Sequence, residues 1–252
     1  MRKKSLLIGG VALIIVAGIT SYVLLSRPLK AVAPVERPKI AKPVPPAPPV
    51  VFNKAQYSLT DPASIWVVVN KKRPLGPMDY APADLAVPKV AMRSGGMQVR
   101  QSTATALETM FAAAKRDGLD LKLSSAYRSY AYQVNLYNGY VQKQGQAVAD
   151  SQSARPGYSE HQTGLAADIG PASGKCNLQQ CFADTNEGKW LATNAYKYGF
   201  LIRYPNGLTP ITGYTYEPWH VRYLGVELST ELHNAGVQTL EQYFELGPAA
   251  DY

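Results

Sequence analysis

Apolar residues recur along this chain at two spacings, and the alternation between them divides it into short helices and strands. From Thr103 to Lys115, Ala104, Leu107, Phe111 and Ala114 fall on one helical face, and Gly118 stops the helix. Tyr130, Val134, Tyr137 and Val141 repeat that spacing and predict a second helix. Between them Leu121–Ala126 reads as a short strand. Ser64–Asn70, SIWVVVN, is β-branched and aromatic and precedes KKRPLGP, a strand followed by a turn. A third helix is expected through WLATNAYKY, capped by Asp184 with Glu187 three residues on and closed by Gly199. Phe200–Tyr204 (FLIRY) and Tyr216–Tyr223 (YEPWHVRY) are strand candidates, followed by short helices near Val226–Asn234 and Thr239–Leu246. No glycine-rich phosphate turn follows a strand, so the pattern indicates an α+β fold over a nucleotide-binding α/β one.

The N-terminal 50 residues carry a different pattern. Arg2, Lys3 and Lys4 precede an uncharged, mostly apolar run from Ser5 to Ser26. About twenty residues at ~1.5 Å rise cross a hydrocarbon core, so residues 1–26 read as a basic start and transmembrane anchor. The run is longer than a cleavable signal peptide and is followed by Arg27, Pro28 and Lys30. The basic cluster places the N-terminus inside, against a weaker opposing signal from Arg27 and Lys30. The rest of the chain is then expected outside the membrane. Residues 27–51 follow as a linker, since Pro28–Pro49 holds eight of the nineteen prolines. That stretch reads equally as a stiff spacer or as a disordered connection of no set length. Residues 52–252 remain as one mixed domain without internal repeats.

Composition adds two constraints. The hydrophobic fraction of 46% in 252 residues is enough for a buried core. Of the net charge of +8, the first 50 residues carry +7, so the folded part is nearly neutral and lacks the basic patch of a nucleic-acid protein. Only two cysteines occur, Cys176 and Cys181 in KCNLQQCF, too few for a structural zinc site. Outside the membrane the expected state is a short-loop disulfide, the other reading being two free thiols.

Histidine is scarce, at positions 161, 220 and 233 only. His161 and Asp168 lie in SEHQTGLAAD among small residues, and His220 ends EPWH. Two imidazoles and a carboxylate suit a catalytic zinc with three protein ligands and an open position for water. Glu217 then remains as a carboxylate able to take the water's proton and pass it to the leaving amine. In a regular strand Glu217 and His220 point to opposite faces, and Pro218 could bend the segment so that both meet the metal. The competing reading is an ordinary packed strand end beside Trp219. His233, on a helix ending before Gly236, reads as a surface residue and stays out of the site.

SEHQTGLAADI followed by EPWH resembles the signature of the VanY-type zinc D-alanyl-D-alanine carboxypeptidases, relatives of the VanX dipeptidases and LdcB L,D-carboxypeptidases. SSAYRSYAYQ (Ser124–Gln133) is similar to the same family's Tyr-Arg-Ser…Gln segment, and NAYKYGFLIRYP and VNKKRPL also match. The resemblance runs from about Tyr57 to Leu246. It implies a small antiparallel sheet with flanking helices, the zinc D,D-peptidase (Hedgehog/DD-peptidase-like) fold. By position it implies zinc (Zn2+) on His161, Asp168 and His220, Glu217 as catalytic base and Arg128 as the cation that steadies the scissile carbonyl. Gln133 and Ser159 match positions near the substrate's C-terminal end, with packing or loop-fixing roles as the alternative.

The activity so implied is removal of the C-terminal D-alanine from peptidoglycan stem peptides or precursors, by water activated on zinc and by Glu217. An L,D-carboxypeptidase acting on tetrapeptide stems is the alternative. A non-catalytic zinc-containing wall-binding module is the alternative of another class, disfavoured because a binder has no use for Glu217 and Arg128 beside the metal.

Overall fold

A computed structural model describes residues 52–252; the expected anchor and proline-rich linker over 1–51 lie outside the described residues. Among the described residues no helix is long and apolar enough to cross a membrane. A two-residue antiparallel pair, β1 (Leu85–Ala86) and β2 (Val99–Arg100), leads into α1 (Gln101–Arg116). This helix buries Thr103, Ala104, Leu107, Met110, Ala113 and Ala114 and ends as predicted near Gly118, at φ 81°. The buried stripe is turned slightly from the one expected: Met110 is fully buried and Phe111 only partly.

β3 (Leu121–Ser125) follows, then α2 (Tyr130–Gln144), whose first turn is capped by Ser129 Oγ accepting the Tyr132 N–H at 3.2 Å. After α3 (Gln146–Gln152) and a 3₁₀ turn at Glu160–Thr163 comes β4 (Ala166–Pro171), all six residues buried. α4 (Asn186–Asn194) is capped by Thr185, whose Oγ1 accepts the Gly188 N–H at 3.0 Å. The cap expected at Asp184 is therefore one residue later, because Asp184 belongs to a preceding 3₁₀ turn, Gln180–Asp184. β5 (Phe200–Tyr204), the single turn α5 (Thr209–Thr212) and β6 (Glu217–Tyr223) complete the strand set. α6 (Val226–Ala235) and α7 (Leu240–Tyr243) close the chain. α7 is one turn, shorter than the expected Thr239–Leu246 helix: Thr239 caps it, and Glu245 takes a left-handed conformation at φ 55°.

The main sheet has the order β3-β4-β6-β5 with every pair antiparallel. Its core side packs Leu123, Ile169, Phe200 and Val221 against Leu107, Met110, Phe182 and Leu191. A fold of strands and helices mixed along the chain around one small antiparallel sheet agrees with the α+β expectation. The strand expected at Ser64–Asn70 does not form. The segment is extended and buried, with Trp66 and Val68 in one cluster and Val67 and Val69 in another. Its backbone bonds go elsewhere: the Val68 N–H donates to Leu59 O, and Arg222 Nη2 donates to Ile65 O and Val67 O at 3.1 and 2.7 Å. The β-branched and aromatic run reads as a strand and is buried on both faces, yet a guanidinium stands where a neighbouring strand would. Cys176 and Cys181 form a disulfide, with Cα atoms 5.5 Å apart.

Candidate active site

Asp168 lies in the middle of β4 and is directly paired with His220 on β6. Residues opposite one another on antiparallel strands present their side chains to the same face, so pairing alone brings this carboxylate and imidazole together. His220 Nδ1 is 3.3 Å from Asp168 Oδ1. His161 arrives from the 3₁₀ turn before β4, which Gly164 ends in a left-handed conformation at φ 67°. Its Nδ1 donates to Ala126 O at 2.7 Å, leaving Nε2 free to face Asp168 Oδ1 at 3.4 Å. One ligand atom from each of the three residues lies within 4.8 Å of the others.

Asp168 Oδ1 is buried and makes no hydrogen bond, although both imidazoles point at it. Such an atom normally costs free energy, and a divalent cation shared with the two ring nitrogens would satisfy it. Two nitrogens and one carboxylate oxygen are also the donor set zinc takes in catalytic sites. The residues present therefore fit the ion.

Burial and charge set the protonation of the group. Burial would raise Asp168, but the His161 and His220 imidazoles hold it well below the usual carboxylate range. Burial, aided by Arg128, pushes His161 down to about 4, against Asp168. Burial would also lower His220, yet the Asp168 and Glu160 carboxylates facing its two ring nitrogens raise it to about 9. To offer Nδ1 to a metal ion, His220 would have to give up a proton. Burial drives Glu217 up to about 7, with Asp168 adding to the effect and His220 opposing it. A carboxylate near neutrality is suited to accept and return a proton.

Glu217 reaches the site through a bulge. Ile202 pairs with Val221 and Tyr204 with Glu217, so one residue on β5, Arg203, opposes three on β6, Pro218, Trp219 and His220. The extra residues rotate Glu217 onto the His220 face, its Oε2 3.7 Å from His220 Nδ1. Pro218, which has no N–H to leave unpaired, sits within the bulge. Arg128 follows β3; its Nη1 lies 4.0 Å from Asp168 Oδ2 and donates to Ser125 Oγ at 3.2 Å. Its buried Nε has no partner.

These side chains line a cavity of about 630 Å³, together with Ser159, Tyr140, Tyr214, Tyr216, Trp219 and, from inside the disulfide, Leu178, Gln179 and Gln180. Gln133 is placed behind this lining: its Nε2 donates to Ser153 Oγ at 3.2 Å and Ala154 O at 2.8 Å, and those two residues form the wall. Gln133 thus braces the cavity wall, the packing role that stood as the alternative to substrate contact. His233 is exposed and stacked on Tyr196, with ring centroids 3.6 Å apart, away from the site as expected.

Sequence reasoning missed a layer beneath the histidines. Glu160 is fully buried, with Oε2 3.3 Å from His220 Nε2 and Oε1 accepting from Arg203 Nε and Arg222 Nη1 at 2.8 Å each. Arg203 in turn forks onto Glu241 at 2.9 and 2.6 Å. Two carboxylates and two guanidinia balance one another in a fully buried interior, with Tyr204 against the His220 ring at 4.8 Å between centroids. The available signal was an arginine inside each of two otherwise apolar or aromatic strands, FLIRY and WHVRY.

The VanY family, D-alanyl-D-alanine carboxypeptidase, matches residues 96–226, which hold every residue of the cavity described above. YodJ of Bacillus subtilis (strain 168), a protein named as a carboxypeptidase, is 43% identical over 192 residues, 75% of this chain and 70% of its own. The solved LdcB LD-carboxypeptidase is 44% identical with a TM-score of 0.69, covering 73% of this chain and 87% of that one. The D,D-pentapeptidase VanY of a VanB-type resistance cassette, solved with Zn(II), is 32% identical with a TM-score of 0.56, covering 71% and 97%. Motif, sheet and side-chain cluster fall together in the matched region, and this chain belongs to the VanY family of D-alanyl-D-alanine carboxypeptidases.

Proposed function

We propose that the chain is a zinc-dependent carboxypeptidase that removes the C-terminal D-alanine from peptidoglycan stem peptides ending in D-Ala-D-Ala. The observation that carries the reading is the unbonded, buried Asp168 Oδ1 facing His161 and His220, with Glu217 beside them. The family and the zinc-containing VanY structure support it.

His161, Asp168 and His220 would hold the ion, which supplies Lewis acidity toward water and toward the peptide carbonyl. Glu217 takes the proton from the attacking water and delivers it to the leaving amine, for which a pKa near 7 is matched. Arg128 donates to the carbonyl oxygen as negative charge gathers there. Ser159 borders the released residue, and Gln133 holds the wall at Ser153 and Ala154. No covalent intermediate with a side chain is needed.

A second reading, cleavage before a single terminal D-alanine on tetrapeptide stems, is favoured by the likeness to LdcB. Purified full chain is incubated with muropeptides ending in D-Ala-D-Ala and with others ending in one D-Ala, with and without chelator, and products are weighed by mass spectrometry. Shortening of the first set that chelator abolishes supports the D,D reading; shortening of the second set alone replaces it with the L,D one. We propose further that residues 1–26 anchor the chain and residues 27–51 hold the catalytic domain on the wall side of the membrane. Release of the protein from membranes by salt wash alone would argue against the anchor.

A further inference from the structure

The disulfide loop is built more rigidly than a surface connection requires. Cys176 and Leu178, neither of them glycine, are held in the left-handed region at φ 58° and 55°. Such conformations persist only where surroundings over-determine them, and they concentrate at ligand-contacting positions. Three constraints do so here. The Cys176–Cys181 bridge closes the loop. Ser124 Oγ, at the end of β3, donates to Asn177 Oδ1 at 2.5 Å. Asn177 also presses on β4 at Gly170, where any Cβ would collide with its side-chain oxygen. The loop is thereby pinned to the strand that carries Asp168, two residues away.

What the pinned loop presents is Leu178, Gln179 and Gln180, all lining the cavity of the catalytic cluster. Gln179 and Gln180 are exposed at its rim, whereas Ser159, His161 and Asp168 are buried at its floor. In a carboxypeptidase the residue to be released occupies the enclosed part, and the rest of the peptide runs outward past the rim. An aliphatic side chain flanked by two carboxamides, each both donor and acceptor, suits an extended peptide backbone and carries no charge to select for or against.

Resting on the proposed carboxypeptidase reading, we infer that the Cys176–Cys181 loop is the specificity-determining wall for the acyl portion of the substrate, the residues N-terminal to the cleaved bond. Its part is binding the longer peptide; the reacting atoms are left to the zinc-site residues.

The test compares the full-chain holoenzyme with Leu178→Ala/Gln179→Ala, which keeps the bridge, and with Cys176→Ser/Cys181→Ser. Each is given a stem pentapeptide and its truncation N-acetyl-D-Ala-D-Ala, and the corresponding single-D-Ala pair. Zinc content and thermal midpoint report folding. The expected result is a KM for the long peptide raised at least about fivefold with kcat nearly unchanged, and little change on the truncated one. Equal losses on long and short peptides, or no loss on either, overturn the inference. Wild-type hydrolysis of none of the four peptides overturns the carboxypeptidase reading itself and the loop's assignment with it.

Discussion

Glu160 Oε2 lies 3.3 Å from His220 Nε2, while the other ring nitrogen, Nδ1, faces Asp168 Oδ1 at 3.3 Å. One carboxylate orients the imidazole from behind so that the opposite nitrogen points at Asp168. Glu160→Gln keeps the shape but removes the charge that Arg203 and Arg222 share. The expected outcome is destabilisation by about 3–5 kcal/mol in denaturant unfolding, since a buried pair loses one member. Zinc affinity, measured by competition with a chromophoric chelator, is expected to fall about 10–100-fold.

Glu217 sits beside the ligand set without being one of its three members. Glu217→Gln is therefore expected to retain zinc by elemental analysis and to lose about 10²–10⁴ in kcat. Loss of zinc with loss of turnover would make Glu217 a ligand and leave the proton transfer without its base.

Arg128 offers a cation with an unbonded N–H at the cavity edge. Arg128→Ala is expected to lower kcat by about 10²–10³, the usual effect of removing one donor to a developing oxyanion. Arg128→Lys should recover only part of it, because a single ammonium cannot reproduce the fork that also bonds Ser125.

Chelation tests the orphaned Asp168 Oδ1 directly. An ion bound by the folded state stabilises it by about 4 kcal/mol at a thousandfold excess over its Kd. Chelator is expected to lower the thermal midpoint and readded zinc to restore it. A midpoint indifferent to both would mean that the three residues hold no ion.

Acid should loosen the buried network. Burial alone would raise Glu241, but the Arg203 guanidinium beside it lowers its pKa below the ordinary value. A depressed folded pKa gives stability that is complete above the unfolded value, about 4.3, and is lost as pH falls through the folded one. Urea midpoints should therefore decline below about pH 5, and less steeply in Glu241→Gln. An unchanged slope in that variant would place the acid sensitivity elsewhere.

Much of the site was legible because its residues sit in short segments where chemistry and local backbone coincide. His161 and Asp168 are seven apart on either side of Gly164, and a turn into a strand is what that small-residue stretch builds. The face reached by Glu217 was not legible. Residues three apart on a strand oppose one another unless extra residues intervene, and the bulge depends on how β5 registers against β6. For Gln133 the sequence left substrate contact and packing equally open, because wall-bracing and ligand-touching amides have the same sequence appearance.

Sequence by itself indicated most of the helices and strands and brought His161, Asp168, His220 and Glu217 forward as candidates, because helical and strand periods, caps and a histidine-poor composition are properties of neighbours along the chain. Tertiary structure alone decided that the Ser64–Asn70 segment bonds to Arg222 instead of a strand, that Glu160 stands behind His220, and that the Cys176–Cys181 loop borders the cleft. The first two join residues 60 to 157 positions apart, and only packing brings them within reach: Glu160 to His220 at the near end, Ile65 to Arg222 at the far one.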